Sequence, residues 1–382
     1  MSKTICRQAA CLVAGAVFAA GVARGADTPV KFLGANSCAS SSCHGGGGAN
    51  QNQFLVWSLK DFHSQRPPAT LATARAKQIA DALGIKDPVA DARCSVCHAP
   101  LHEVPENLRG DDFKISEGVS CESCHGPAEN WLRAHTRHDW TRADRAAAGM
   151  RDLQNLYVRA NTCVACHQNV DADILAAGHP ELIFELDGQS MAEPKHWSAE
   201  KNGSGAQAWL VGQAVALREM EWQISREPKA DKKLIARRDA MVWLLLTVTG
   251  VDSSYQLGSL LDARQDGPII QQWADNFARA AAKNWKEENS RRALIWLSLT
   301  SASFQNVSSE VAARRAERLV LALDRLVAAL PDLKQNEPVQ SQLNQLFKLA
   351  QSIPDFDSAK FAGALADFSS TLTRTNPPVT AN

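Results

Sequence analysis

The chain has 382 residues, and its 41 basic side chains balance its 41 acidic ones. This balance argues against a general nucleic-acid-binding protein, which needs a basic surface. The strongest apolar run, residues 241–248, is too short to cross a bilayer and is predicted to be a buried helix, so we expect no transmembrane segment in the mature chain. The length predicts one large domain or two of medium size.

The first 26 residues have the pattern of a secretory signal peptide. Lys3 and Arg7 form a positive start, residues 9–21 an apolar stretch, and residues 23–26 a cleavage zone of small side chains. Its removal takes three basic residues and two of the ten cysteines, which leaves 38 basic against 41 acidic residues and eight cysteines. The pattern predicts an exported protein.

The eight remaining cysteines form four pairs, and a histidine directly follows each pair. The first pair has C-x4-C-H spacing and the other three have C-x-x-C-H. Two such thiols can each add across a vinyl group of one haem, and the histidine then becomes an axial ligand of the iron. We therefore predict four covalently bound haem c groups at Cys38, Cys43 and His44; Cys94, Cys97 and His98; Cys121, Cys124 and His125; and Cys163, Cys166 and His167.

Two other uses of these cysteines have to be considered. C-x-x-C pairs also hold zinc or iron–sulfur clusters, but zinc typically uses two pairs per ion and needs no adjacent histidine each time. The wider pair, Cys38 and Cys43, could instead form a disulfide, as close pairs in exported chains often do. Haem attachment takes place outside the bacterial cytoplasm, so the motifs and the signal peptide both indicate a periplasmic location.

The chain divides by composition. All cysteines and histidines lie before Trp197, whereas the sequence from about residue 203 is rich in Ala, Leu, Arg, Glu and Trp. We predict a mainly α protein, with an irregular multihaem cytochrome c domain at 27–195 and an antiparallel helical bundle at 203–375. In the first part, residues 69–83 are predicted to form a helix that ends at Gly84.

The bundle is predicted to contain about six amphipathic helices. One of them is expected to start at Ser309 and to stop before Pro331. Its apolar stripe consists of Ala312, Ala316, Leu319, Leu323, Leu326 and Leu330. We expect the tryptophans of this part to be core residues, although some could form a docking face instead; they are Trp209, Trp222, Trp243, Trp273, Trp285 and Trp296.

Six histidines lie outside the motifs: His63, His102, His135, His138, His179 and His196. A second imidazole would make a haem six-coordinate and low-spin, which suits electron transfer, whereas an iron without one has an open face. His102 follows His98 too closely to cap the same iron, and we favour a surface role for His102, His138 and His196. His179 lies in a rigid Gly-His-Pro turn, and we favour it as a ligand.

Residues 118–127, Gly-Val-Ser-Cys-Glu-Ser-Cys-His-Gly-Pro, followed by His135, resemble the third haem segment of the tetrahaem cytochrome c-554 family. The order of the four motifs and the stretch 57–63, from tryptophan to histidine, are also similar to that family. The resemblance covers about residues 36–179 and identifies 27–195 as a cytochrome c-554-like domain. It implies an irregular helical fold with closely packed haem pairs, as in hydroxylamine oxidoreductase and multihaem nitrite reductase.

The resemblance also implies the distal ligands. His135 would cap the first haem and His63 the third. The fourth haem would have a histidine cap, to which we assign His179. The second haem lacks a distal ligand in that family, so here it would be open, or weakly capped by His138 or His196.

By this resemblance we favour an electron-transfer protein over an enzyme. It would pass electrons between periplasmic redox partners, such as a hydroxylamine oxidoreductase-like or quinone-linked enzyme, with the bundle docking a partner. The alternative is an oxidoreductase that acts on a small nitrogen compound or peroxide at one five-coordinate haem, although no catalytic residue can be named. A third reading is a subunit whose helical part holds a larger respiratory complex together.

Overall fold

The computed structural model describes residues 29–48, 51–197, 205–227, 232–250, 267–305, 307–351 and 355–375. The predicted signal peptide lies outside these ranges. The described residues are mostly helical and contain no β-strand, so the mainly α prediction is confirmed. Two extended residues, Phe32 and Arg109, form an isolated bridge. None of the helices in these ranges combines the length and the apolar character needed to span a membrane.

The first part is built from short helices, most of them with fewer than ten residues. Three attachment motifs form the ends of helices, and in each the motif histidine is the last helical residue. Capping side chains start these helices, as when Asp91 accepts a hydrogen bond from the backbone N–H of Arg93. The helices are α1 Gln53–Lys60, α2 Phe62–Thr70, α3 Ala74–Ala82, α4 Ala92–His98, α5 Cys121–His125, α6 Arg142–Ala147, α7 Leu156–His167, α8 Ala172–Ala176 and α9 Leu186–Ala192.

The helix predicted at 69–83 is shorter in the structure. It begins at Ala74 because the Thr73 side chain accepts a hydrogen bond from the backbone N–H of Ala76 and caps it. Leu71 and Ala72 form a turn that follows helix α2. The predicted end at Gly84 is confirmed, since Gly84 has a φ of 66°, a conformation that glycine adopts without strain.

The second part contains seven helices of twelve or more residues among the described ranges, against the six or so predicted. The stripe predicted on α14 is buried, and Ser308 caps that helix by accepting a hydrogen bond from the backbone N–H of Val311. Helix α14 ends at Ala328, before Pro331, and Pro331 begins the next helix. The seven long helices are α10 Gly205–Arg226, α11 Lys232–Thr249, α12 Gly267–Ala281, α13 Glu287–Ser298, α14 Ser309–Ala328, α16 Glu337–Ala350 and α17 Ser358–Thr375, and the short helix α15 is Pro331–Lys334.

The tryptophans of the bundle differ in burial. Trp209 is fully buried, but Trp222 is 44% exposed and Trp296 is 50% exposed. The core prediction is therefore wrong for these two, because their positions lie on the outer faces of α10 and α13. Arg226 covers the Trp222 ring at 4.9 Å, so part of that ring is shielded by the guanidinium group.

The two parts share one hydrophobic core. Leu156, Ala160 and Val164 on α7 belong to the same buried cluster as the bundle helices. Polar contacts reinforce this packing, since Asp275 on α12 accepts hydrogen bonds from Tyr157 and Arg218. The fourth attachment motif, at the end of α7, is therefore held directly against the bundle.

The segment 181–187 is tied to the bundle by three ion pairs, each with one buried partner. Arg237 contacts Glu181, Arg318 lies 3.4 Å from Glu185, and Arg325 contacts Asp187. These arginines come from α11 and α14. The segment leads directly into α9, so the ion pairs fix where α9 begins.

Close packing holds α9 itself in place. A Cβ atom on Gly212 of α10 would lie 2.8 Å from Cβ of Leu186, so only glycine allows this approach. Gln213, the next residue, donates hydrogen bonds to Phe184 and Glu185. The bundle thus determines the position of α9.

Glu185 is expected to make stability depend on pH. Burial raises the pKa of Glu185 from 4.5 to about 7. Because the folded state keeps a proton that the unfolded chain has lost, this group should lower the free energy of unfolding by about 3 kcal/mol as pH rises from about 4.5 to about 7. Denaturant unfolding of the haem-loaded protein across this window measures the slope. Glu185→Gln should flatten it, and an unchanged slope in this variant would contradict the assignment.

Candidate functional site

The attachment motifs lie side by side in two pairs. A hydrogen bond to Cys38, together with burial, raises the pKa of the Cys121 thiol, and a hydrogen bond to Cys166, together with burial, does the same for Cys97. The first motif therefore adjoins the third, and the second adjoins the fourth.

The arrangement of the cysteines supports neither a disulfide between Cys38 and Cys43 nor a zinc or iron–sulfur site. All eight described cysteines are free, including Cys38 and Cys43, so the structure does not form a disulfide within the first motif. Within the described ranges, no group of three motif cysteines or histidines converges tightly enough to hold one ion. This arrangement gives no support to a zinc or iron–sulfur site.

Three motif histidines each face a histidine from outside the motifs. The ring centres are 6.1 Å apart for His44 and His135, 6.0 Å for His63 and His167, and 6.4 Å for His98 and His179. Two imidazoles bonded to opposite sides of one metal ion, each at about 2 Å, place their ring centres about 6 Å apart. The spacing therefore fits a haem iron between the two rings of each pair.

The hydrogen bonds of these rings also fit metal binding. A ligating histidine usually donates its second N–H to an oxygen acceptor, which fixes the tautomer and leaves the other nitrogen for the metal. Here Nδ1 is the atom with a partner in every ring of the three pairs. The partners are Gln53 for His44, Asp61 for His63, the Pro67 carbonyl for His98, the Trp131 carbonyl for His135, Gln189 for His167 and the Pro180 carbonyl for His179.

The Gln189 amide is best placed with its oxygen towards His167. Its nitrogen lies 3.3 Å from Nδ1 of that ring, while its buried oxygen has no partner. Exchanging the two amide atoms gives Nδ1–H of His167 an oxygen acceptor. Gln189 thereby extends the support of the fourth motif to α9.

His63 is not beside the histidine that the resemblance implied. Its ring faces His167 of the fourth motif rather than His125 of the third. The reason is local: the Asp61 carboxylate caps α2 and accepts a hydrogen bond from His63, which turns the ring away. Only the His63 backbone reaches the third motif segment, where its carbonyl accepts a hydrogen bond from the N–H of Val119.

His179 is also placed differently from the prediction. Its ring faces His98 of the second motif, not His167 of the fourth. Arg75 holds this turn by donating to the Gly178 carbonyl at 2.7 Å, and Gly178 adopts a φ of 109°. The second motif, expected to lack a distal imidazole, therefore has one facing it.

The third motif has no such partner among the described residues. His125 faces no second imidazole ring, and its buried Nδ1 atom has no hydrogen-bond partner. Burial, and after it the charge of nearby His196, lowers the pKa of His125 to about 4. Sequence reasoning favoured a surface role for His196, whereas the structure brings it close to this motif.

The two remaining histidines lie apart from the motif rings. His138 is exposed and His102 is half-buried. Neither ring faces another imidazole in the described part of the chain. Their placement is in keeping with the surface role that we favour for them.

Glu122 joins the third motif to the start of the described chain. Its buried carboxylate accepts hydrogen bonds from the backbone N–H groups of Leu33, Gly34 and Ala128. No sequence pattern indicated this role, since Glu122 is one of the two variable positions inside a C-x-x-C pair. The contact places the first motif, which begins a few residues after Gly34, against the third.

Glu122→Ala is expected to lower the free energy of unfolding by about 3 kcal/mol, because three buried N–H groups lose their acceptor. Thermal or denaturant unfolding of the haem-loaded protein measures this loss. The matched control is Glu129→Ala, which removes an exposed hydrogen bond to the nearby Lys31 backbone and should cost less than about 1 kcal/mol. Equal losses in the two variants would contradict the role of Glu122.

No curated protein and no solved structure matches the chain. A family model described as cytochrome c554 and c-prime matches residues 37–126, which contain the first three attachment motifs. The fourth motif and the bundle lie outside the matched segment. Over residues 37–126 the chain is thus similar to the cytochrome c554 and c-prime family, in agreement with the resemblance of its motifs.

Proposed function

We propose that the chain is a periplasmic tetrahaem c-type cytochrome that transfers electrons between redox partners. The observation that carries this proposal is the pairing of three motif histidines with three further histidines at 6.0 to 6.4 Å. Two imidazole ligands keep an iron low-spin in both oxidation states, so little rearrangement accompanies electron transfer. When bound, the haems supply the one-electron redox centres.

The residues of the chain orient the ligands and tune them. Each Nδ1 partner holds a ring in one orientation and increases its donor strength. The acceptors differ in charge, since Asp61 presents a carboxylate to His63 and the Pro67 carbonyl a neutral oxygen to His98. A carboxylate acceptor should stabilise the ferric state more, so the four haems should differ in reduction potential.

The electron donor and the electron acceptor are proposed from the redox chemistry of the haems alone. The adjacency of the first motif to the third, and of the second to the fourth, supports short electron-transfer distances within the protein. An oxidoreductase of the hydroxylamine oxidoreductase type or a quinone-linked enzyme would be a suitable partner. Such partners would exchange single electrons with the outermost haem of the chain.

The test uses the full chain, expressed with export and haem-attachment machinery. We expect four haems per chain from the pyridine haemochrome assay and from intact mass, a new N-terminus after residue 26, and recovery in the periplasmic fraction. A haem count below four, or zinc in place of iron, would contradict the proposal. Retention of the first 26 residues would contradict the periplasmic part alone.

One observation favours a second candidate, an oxidoreductase with one reactive haem. It is the third motif, where His125 faces no imidazole and lacks an Nδ1 partner. The resemblance pointed to the second haem for this role, but His179 faces that motif. Any reactive iron is therefore proposed to belong to the third motif.

A further inference from the structure

We propose that Arg151 is a positioning residue for the third haem: it holds the helix end that carries His125, and its positive charge raises the reduction potential of that iron. The inference deepens the proposed function and rests on it, because it requires a haem at Cys121 and Cys124. It gives a role in electron transfer to the loop between α6 and α7, which lies outside the segment that the family model matches.

The ring of His125 is held differently from the other three motif rings. The Nδ1 atoms of His44, His98 and His167 each have a hydrogen-bond partner. Among the described residues, the buried Nδ1 atom of His125 has none. Because such a partner normally orients a ligating imidazole, the orientation of His125 has to come from the backbone that carries it.

Arg151 binds that backbone. An α-helix leaves its last four carbonyl groups without partners inside the helix. At the end of α5, Nη1 of Arg151 donates to the Ser123 carbonyl at 2.7 Å and to the Cys124 carbonyl at 3.4 Å. The backbone N–H of Arg151 donates to the His125 carbonyl at 2.9 Å. One residue thus serves three of the four carbonyl groups, and a cation at this end of a helix is also favourable.

Close packing keeps the loop of Arg151 against this helix end. Gly126, the residue after the motif, serves the fourth carbonyl by donating its N–H to that of Glu122. Gly126 has a φ of 87°, and a Cβ atom on it would lie 2.6 Å from the carbonyl oxygen of Gly149. Only glycine allows this approach, so the loop and the end of α5 have a fixed relative position.

The guanidinium group also places a positive charge beside the third haem site. Arg151 is exposed, and within the described ranges its guanidinium contacts the carbonyl groups of α5 and no carboxylate. A cation close to an iron favours the ferrous state, which has one positive charge fewer, and so raises the reduction potential. The missing Nδ1 partner of His125 acts in the same direction, because a weaker imidazole donor stabilises the ferric state less.

A negative charge on the same helix does not obscure this effect. The buried Glu122 carboxylate accepts hydrogen bonds from three backbone N–H groups, which offset its charge. Substitutions at Arg151 leave that carboxylate and its donors in place. A difference in potential between wild type and such a variant therefore measures Arg151.

The test is a spectroscopic redox titration of haem-loaded wild type and three variants. Arg151→Gln and Arg151→Ala remove the charge, and we expect each to lower the potential of one haem in four while the other three keep theirs. Arg151→Lys retains the charge and should keep most of the wild-type potential at that haem. Because Arg151 is exposed, salt screens its charge, so the difference between wild type and Arg151→Gln should narrow at about 1 M salt.

Two further measurements identify the haem and the support of the helix end. In a chain with Cys121→Ala and Cys124→Ala, which lacks the third attachment site, adding Arg151→Gln should leave the three remaining potentials unchanged. Hydrogen exchange of the Gly126 amide should be about fivefold faster in Arg151→Ala than in wild type, because the end of α5 loses a donor to its carbonyl groups.

The matched control is Lys77→Gln, which makes the same change of charge on α3, where the side chain pairs with Asp81 rather than with a motif. It should leave all four potentials unchanged. If Arg151→Gln shifts no potential, or shifts all four alike, the inference is wrong. A potential in Arg151→Lys as low as that in Arg151→Gln would overturn the role of the charge, and unchanged exchange of Gly126 would overturn the positioning.

The haemochrome count separates the two proposals. Fewer than four haems in wild type contradicts the proposed function, whereas four haems with unaffected Arg151 variants contradicts this inference alone. If Arg151→Ala does not load haem, Arg151→Gln and Arg151→Lys still decide the inference, because both retain a side-chain donor and differ in charge.

Discussion

His63→Ala is expected to remove one low-spin signal with a large maximum g value from the spectrum of the oxidised protein and to replace it with a high-spin signal. The planes of the His63 and His167 rings meet at 84°. Perpendicular imidazoles leave two iron d orbitals nearly equal in energy, which produces a single strongly shifted g value. Loss of the imidazole should also raise the potential of that haem, because the ferric state loses a strong donor.

The matched control is His135→Ala. Its ring is nearly parallel to that of His44, with 14° between the planes, so this pair should give a signal with three well-separated g values. His135→Ala should remove that signal and leave the one assigned to His63. If the two variants remove the same signal, or if His63→Ala removes none, the pairing is wrong.

A third variant identifies which haem His63 serves. A chain with Cys163→Ala and Cys166→Ala lacks the fourth attachment site. Adding His63→Ala to that chain should change no remaining signal, because its partner haem is already missing. A further change of spin state would instead indicate that His63 is a ligand of the third haem, as the family resemblance implied.

Above pH 7, where Glu185 is ionised, Arg318→Ala is expected to lower the free energy of unfolding by about 3–5 kcal/mol, because it leaves the buried Glu185 carboxylate without its counter-charge. Arg318 is 3% exposed, and Gln213 lies beside the pair within hydrogen-bond distance of both residues. Denaturant unfolding of the haem-loaded protein, followed by its helical circular dichroism, measures the loss.

Two controls interpret that result. Lys360→Ala removes an exposed lysine of the bundle and should change stability by less than about 1 kcal/mol. The double variant Arg318→Met with Glu185→Gln should recover most of the loss, because no charge is then left buried without a partner. A double variant as unstable as Arg318→Ala would mean that the arginine acts through packing rather than charge.

The sequence was sufficient for the features that depend on adjacent residues. A haem attachment site needs two thiols and a histidine within a few positions, so Cys121, Cys124 and His125 could be recognised without a fold. The mainly α class and the buried stripe of α14 follow from local periodicity in the same way. All three are properties of short stretches, and the structure confirms the mainly α class and the buried stripe.

The distal pairing depends on tertiary structure, and the sequence could not determine it. His63 is near the third motif through its backbone, but the Asp61 cap directs its ring towards His167. The position of His196 near the third motif depends on α9, which packs against the bundle. Trp222 and Trp296 show the same limit, since an aromatic residue in an amphipathic helix does not reveal which face the neighbouring helices leave uncovered.

The ion pairs between segment 181–187 and the bundle have a consequence for biogenesis. Two of their arginines, Arg318 and Arg325, lie on α14, near the end of the chain, and are translated long after the four attachment motifs. Haems can thus be attached to a chain whose α9 is not yet in place. Gln189 lies on α9 beside His167, so we expect the support of the fourth motif to be complete only when α14 has folded.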